Sequence, residues 1–228
     1  MKVFQRYGNI QPQRFDLTRD DSKQFRTYYD SDGTHYLSVT SFVGQFSTGK
    51  AELENWKNAI GEVEANKIMK AAGTKGTAIH EGCEKLLLNQ PNVSVEMFYR
   101  QDFNTMKKHL IEHVDNIFVL EHQMFSKKLK LAGTVDCIAE YDGEMAIIDF
   151  KTSSRLKYAD ELTSYYLQEA AYGIMAAERY GLQCKNLVTL MVVEGDPIIH
   201  VFKEKLTKWG TEILKLTREP QCQNLLLN

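Results

Sequence analysis

The chain has 228 residues, 43% of them hydrophobic and 25% charged, the make-up of an ordinary globular protein able to bury one substantial core or two small ones. Its formal net charge of -2 excludes a global positive potential as the main force drawing it to nucleic acid, so any such binding must use a local basic patch. The four cysteines, Cys83, Cys137, Cys184 and Cys222, contain no C-x-x-C pair, which argues against a zinc ribbon or an iron–sulfur cluster.

Free thiols fit a reducing compartment. A polar N-terminus and the lack of any apolar run near 18 residues predict neither secretion nor membrane insertion. The expected location is therefore cytoplasmic, the host cytoplasm if a phage encodes the chain.

We expect a single domain, residues 1–228, made of an irregular or hairpin segment (1–37), a core (38–203), and a C-terminal helix and tail (204–228). Asp30-Ser31-Asp32-Gly33 reads as a turn, and Ser38-Val39-Thr40-Ser41 offers N-cap residues before Phe42 and Val43. Leu53, Trp56, Ile60, Val63 and Ile68 predict a helix over 51–71, ending before Gly73. A second helix is expected over 75–88, stopped by Asn89-Gln90-Pro91, and a third over 102–113. Strands follow at 117–125, 131–141 and 144–151, then a helix over 159–180 and a strand at 187–194. Gly195-Asp196-Pro197 turns the chain into a strand at 198–202, and a last helix covers 207–218.

The centre of that pattern carries the chemistry. Two β-prone runs flank Asp142-Gly143, a strong two-residue hairpin signal. If Tyr141 pairs with Glu144, counting back sets Cys137 against Ile148 and Asp136 against Asp149. At an effective dielectric of about 20, two carboxylates about 5 Å apart repel by roughly 3 kcal/mol, a sign that a divalent cation reverses. Lys151 lies two residues beyond Asp149 and returns to the same strand face. Two acids and an amine so placed suit phosphodiester hydrolysis: the carboxylates hold Mg²⁺ or Mn²⁺, and the ammonium orients water or offsets charge on phosphoryl oxygens. The bland alternative is an ion pair on a wet sheet face, against which Met145-Ala146-Ile147-Ile148 reads as a buried strand.

If the link between the first two of these strands is the four residues Lys127 to Lys130, Ser126 pairs with Leu131 and Glu121 faces Asp136. His80 sits on the second helix with Glu84 at i+4, positioned to hold its ring. Gln168 and Tyr172 share a face of the helix after the Asp149-x-Lys151 strand. Trp56, Tyr165 and Tyr166 offer base-stacking surfaces, although core packing explains Trp56 better. Lys127, Lys128 and Lys130 form one local basic patch, and Lys151, Arg155 and Lys157 another.

Gly133-Thr134-Val135-Asp136, then Ile148-Asp149-Phe150-Lys151-Thr152-Ser153, then Gln168 and Tyr172, preceded by Gly76-Thr77-x-x-His80, resembles the PD-(D/E)XK nuclease superfamily. Within it the chain is similar to the RecB-like branch of mitochondrial genome maintenance and small phage exonucleases, over about 38–194. The resemblance implies an α/β (α+β) restriction-endonuclease-like core, a mixed central sheet flanked by helices.

It also implies a Mg²⁺- or Mn²⁺-dependent DNA exonuclease without an iron–sulfur cluster, acting on single strands or DNA ends in repair or recombination. His80, Asp136 and Asp149, with the Phe150 carbonyl, would bind the ion, and Lys151 and Glu121 would join the catalytic set. Gln168, Tyr172, Thr152 and Ser153 would contact substrate. DNA is the expected partner, with a helicase or a single-strand-binding or annealing protein beside it and no membrane. The rivals are an endonuclease of the same superfamily, a decayed DNA-binding module, and a metallohydrolase of small phosphate esters.

Overall fold

A computed structural model describes residues 2–8, 12–47 and 50–227, without the side chains of 50–52 and 226–227. In chain order the described elements are β1 (Thr18–Asp20), β2 (Thr27–Tyr29), β3 (His35–Ser38), α1 (Val39–Val43), α2 (Lys50–Ile60), α3 (Glu62–Leu87), α4 (Arg100–His113), β4 (Val114–Ser126), β5 (Leu131–Tyr141), β6 (Glu144–Ser153), α5 (Thr163–Tyr180), β7 (Asn186–Val193), β8 (Ile199–Lys205), α6 (Leu206–Leu216) and α7 (Pro220–Leu227).

The β5–β6 hairpin forms as predicted. Asp142 and Gly143 adopt φ of +50° and +80°, which places both central residues of the turn in the left-handed region that a two-residue hairpin needs. The rungs run from Tyr141↔Glu144 to Cys137↔Ile148. β6 continues as a parallel partner of β7 from Ala146↔Asn186 to Ser153↔Val193, and β7 pairs antiparallel with β8. Both central strands are buried on their two faces, which explains their unbroken apolar runs.

The eight-stranded sheet runs β1-β2-β3-β5-β6-β7-β8, with β4 on the other edge of β5. The N-terminal segment thus extends the central sheet: β3 lies parallel to β5 through Leu37↔Leu131 and Ser38↔Ala132. Apolar residues of α1 and α5 pack on one face with Ile138, Ile147 and Leu187. α3 and α4 cover the other with Ile148, Phe150 and Val188, giving three layers with a core on each face of the sheet, and a smaller cluster of Leu17, Tyr28, Tyr36, Phe125 and Ala132 lies under β1–β3.

Three elements depart from expectation. The first helical break is at Gly61 (φ +85°), and Gly73 lies inside α3, which runs unbroken to Leu87. Only Gly61 is placed in a conformation that L side chains resist, so it ends α2 while Gly73 is absorbed at modest cost. α7 follows α6 where the sequence pattern predicts only a tail. No described helix is long and apolar enough to cross a membrane.

Candidate active site

The ladder between β5 and β6 stops a single rung short of the predicted Asp136–Asp149 pair. In place of that rung the Asp136 carboxylate accepts the Phe150 backbone N–H at 2.9 Å. A side chain has taken the role of a backbone acceptor, so the strands diverge where the acids stand. On the same edge β5 changes partner from β6 (Cys137 to Tyr141) to β3 (Leu131 and Ala132), leaving 133–136 outside either ladder.

β4 brings Glu121 to this gap. Ser126 pairs with Leu131 across the Lys127–Lys130 turn, and the rungs Leu120↔Cys137 and His122↔Val135 leave Glu121 opposite Asp136, the predicted alignment. Glu121 has a φ of +42°, a left-handed conformation inside a strand that costs roughly 1–3 kcal/mol and that the surrounding sheet must impose.

α3 supplies His80. Its Nδ1 lies 3.5 Å from Asp136 Oδ2 and 3.9 Å from Glu121 Oε1. Its Nε2 is 2.7 Å from the Phe150 carbonyl oxygen, so that carbonyl engages the ring on the side away from the acids. Glu84, expected to hold the ring, instead lines the cavity in front of it. One ligand atom each from His80, Glu121 and Asp136 lie within 4.8 Å of one another.

Asp149 stands beside this group without joining it. Its Oδ1 accepts from Gln168 Nε2 at 2.8 Å, and its other oxygen pairs with Lys151 Nζ. Lys151 Nζ is 5.1 Å from the centre of the Tyr165 ring.

The electrostatics show what the cluster lacks. Burial opposes charge on His80, but hydrogen bonding to Glu121 and the charge of Asp136 outweigh it and raise the ring to about 9. Burial raises Asp136, with His80 and Lys151 pulling it back. Asp149 is lifted to about 6 by burial, against the pull of Lys151. Lys151 is raised despite burial because Asp149 and Asp136 hold its charge. A proton on His80 and the ammonium are the local cations opposing these acids. Two carboxylate oxygens and an imidazole nitrogen at this spacing, with acids that burial disfavours, fit a divalent ion.

The predicted substrate contacts have mixed positions. Thr152 faces α3, its Oγ1 being 3.7 Å from where a Cβ on Gly76 would stand. Ser153 Oγ donates to the Arg155 carbonyl at 2.6 Å. Tyr172 is buried, and its hydroxyl comes within 2.6 Å of where a Cβ on Gly133 would stand, so it fills the space that this glycine leaves. Tyr166 is buried against Trp209, with ring centres 5.1 Å apart, which removes it from base stacking. Arg155 and Lys157 are drawn to Glu161 at 2.6 and 3.3 Å.

Sequence reasoning missed Glu169. It is fully buried on α5, receives a hydrogen bond from Thr189, the β7 partner of Asp149, and is raised well above its ordinary range by burial and by Asp149. The available signal was an acid on a helix with Leu167, Ala170 and Ala171 around it, a face with no solvent side.

A sequence profile of the PD-(D/E)XK nuclease superfamily matches residues 92–208, about half of the chain. The human mitochondrial genome maintenance exonuclease 1 is 27% identical over 212 residues, covering 82% of this chain and 60% of that protein. The mouse protein of the same name is 27% identical over 187 residues, 76% of this chain and 55% of its own length. A Xenopus tropicalis relative is 27% identical over 182 residues, 72% and 51% respectively. The chain thus spans between half and three fifths of the curated relatives it matches. That profile spans β4 to β8, and with the mixed sheet and its flanking helices the chain belongs to the PD-(D/E)XK nuclease superfamily.

Proposed function

We propose that this chain is a divalent-metal-dependent DNA exonuclease that works on single-stranded DNA or DNA ends. The observation that carries the reading is the meeting of His80, Glu121 and Asp136 beside the Lys151–Asp149 pair, at the point where β5 and β6 diverge. A divalent ion bound there supplies Lewis-acid chemistry at the phosphodiester, and Mg²⁺ or Mn²⁺ suits the oxygen-rich set.

Asp136 and Glu121 would hold the ion with His80 Nδ1, whose tautomer is fixed by Nε2–H donating to the Phe150 carbonyl. Lys151, held protonated, offsets negative charge that grows on the phosphoryl oxygens as the bond breaks. Asp149, itself held by the Gln168 amide, anchors that ammonium. Thr152 and Ser153 follow on the same strand and would contact the DNA backbone, Ser153 by exchanging its bond to the Arg155 carbonyl. The relatives in human, mouse and Xenopus tropicalis are named as exonucleases, which supports the same reading. A separate helicase or single-strand-binding or annealing protein would present the free strand.

The test uses linear single-stranded DNA labelled at either end and a covalently closed circle, in Mg²⁺ or Mn²⁺. Wild type should shorten the linear strand and leave the circle intact. Asp149→Asn and Lys151→Ala should each slow digestion on the order of 10²-fold. Undiminished digestion by both variants removes the mechanism, and cleavage of the circle makes the enzyme an endonuclease.

A further inference from the structure

The cleft at the metal-ligand group does not end there. His80, Glu81, Glu84 and Glu121 line a cavity of about 420 Å³ together with Gly76 and Thr77. Glu84 is also a wall of a second cavity, of about 500 Å³, whose lining includes Arg6, Arg14, Leu120 and His122. A shared Glu84, and the adjacency of Leu120 to Glu121, set the two cavities side by side.

The second cavity is basic in an acid-balanced chain. The segment carrying Arg6 is fixed against β4: Tyr7 N–H donates to the Ile117 carbonyl at 2.8 Å, and Ile117 N–H to the Gln5 carbonyl at 2.7 Å. Arg6 is near enough to act electrostatically on Cys137, the neighbour of Asp136. Arg14 follows Gln13, whose carbonyl is 3.2 Å from His122 Nε2 and accepts the Tyr180 hydroxyl at 3.0 Å. Both arginines are exposed, and among the described residues neither lies within ion-pair distance of a carboxylate. Two exposed guanidinium groups without carboxylate partners line one cavity beside the metal-ligand group, and the planar fork of arginine is the side chain best suited to grip phosphate.

We propose that Arg6 and Arg14 form a phosphate clamp, in which the cavity they line grips a DNA phosphate, terminal or internucleotide, while another phosphate of the same strand lies at His80, Glu121 and Asp136. The clamp rests on the nuclease reading above and adds to it the groups that hold the strand beside the reacting bond.

The experiment measures binding of a fluorescein-labelled single-stranded 12-mer by anisotropy between 50 and 200 mM salt, on a Lys151→Ala background. Three oligonucleotides are compared, with a 5′-phosphate, a 3′-phosphate, or neither. Arg6→Gln with Arg14→Gln should weaken binding about tenfold or more and flatten the slope of log K against log salt by about 1.4, the loss of two single-strand phosphate contacts. Weakening confined to one phosphorylated end identifies a terminal phosphate; equal weakening of all three identifies an internucleotide one. The double Arg→Lys variant should keep most of the slope. Should the double Gln variant fail to fold, as judged by circular dichroism, Arg14→Gln alone should flatten the slope by about 0.7. Affinity and slope indifferent to the arginines, in a parent that binds, overturn the clamp alone. A parent that binds no oligonucleotide overturns the nuclease reading and the clamp with it.

Discussion

His80 presents its two ring nitrogens to opposite partners, Nε2 to a backbone carbonyl and Nδ1 to two acids. Without an ion the ring carries a proton up to about pH 9, because Glu121 and Asp136 favour the charged form. An ion that takes Nδ1 must displace that proton, so affinity for Mn²⁺ should rise with pH below about 9, by up to tenfold per pH unit. Calorimetry at pH 6, 7 and 8 in buffers of different ionisation enthalpy counts the proton released. Affinity that does not change over this range contradicts the assignment of His80.

Glu121 combines a backbone strain with a ligand position. Its left-handed backbone opposes folding while its interaction with the His80 ring favours it, so Glu121→Gly should change metal-free stability by no more than about 1 kcal/mol in either direction while weakening Mn²⁺ binding. Thermal melts with and without Mn²⁺ separate the two effects. A loss of metal-free stability beyond about 1 kcal/mol would make Glu121 a structural residue.

Asp136, Asp149, Lys151 and Glu121 could be placed from the sequence because alternation and turn chemistry fix which positions face which, whereas His80, on a helix, was singled out as a ligand only by the family resemblance. The divergence of the strands was not visible: it depends on Asp136 competing for the Phe150 N–H, a side-chain-to-backbone choice that no spacing encodes.

Among the elements, α3 shows most clearly what pattern reading misses. Its N-terminal half is largely exposed, so apolar periodicity there has no core to report. Its second half crosses the sheet and delivers His80, and this stretch is held by close packing on α4. A Cβ on Gly82 would come within 2.7 Å of the buried Phe103 ring and 3.0 Å of Val95. Gly82→Ala should therefore destabilise by roughly 1–3 kcal/mol through overpacking, a fall of several degrees in Tm. An unchanged Tm would mean that α3 can shift freely over α4, and with it His80. Lys75 joins the same two helices through Asp102 at 2.6 Å, so the orientation of α3 rests on more than one contact.

At the level of the whole molecule, the sheet, its hairpin and the helical layers were legible because turn residues and buried strands leave strong local signals. The exchange of partners along β5 was not, since β3 lies far away in sequence and pairs with only Leu131 and Ala132. That exchange opens the gap occupied by Asp136 and, behind it, by Tyr172 against Gly133. The apolar core under α5 meanwhile encloses a polar seam of Gln168, Glu169, Asp149 and Thr189, which a folding chain keeps only if each member is held or neutralised. Glu169 meets that condition by burial raising it and by the Thr189 hydroxyl.

On the proposed function, this gap is a cation cradle on which phosphodiester hydrolysis depends. Digestion of a linear single strand across a Mn²⁺ titration, by wild type and by Asp136→Asn, tests it most directly. Wild type should show saturable activation from no activity in EDTA, and the variant should be on the order of 100-fold slower at every concentration. Full digestion in EDTA, or an Asp136→Asn variant that follows the wild-type curve, would contradict it.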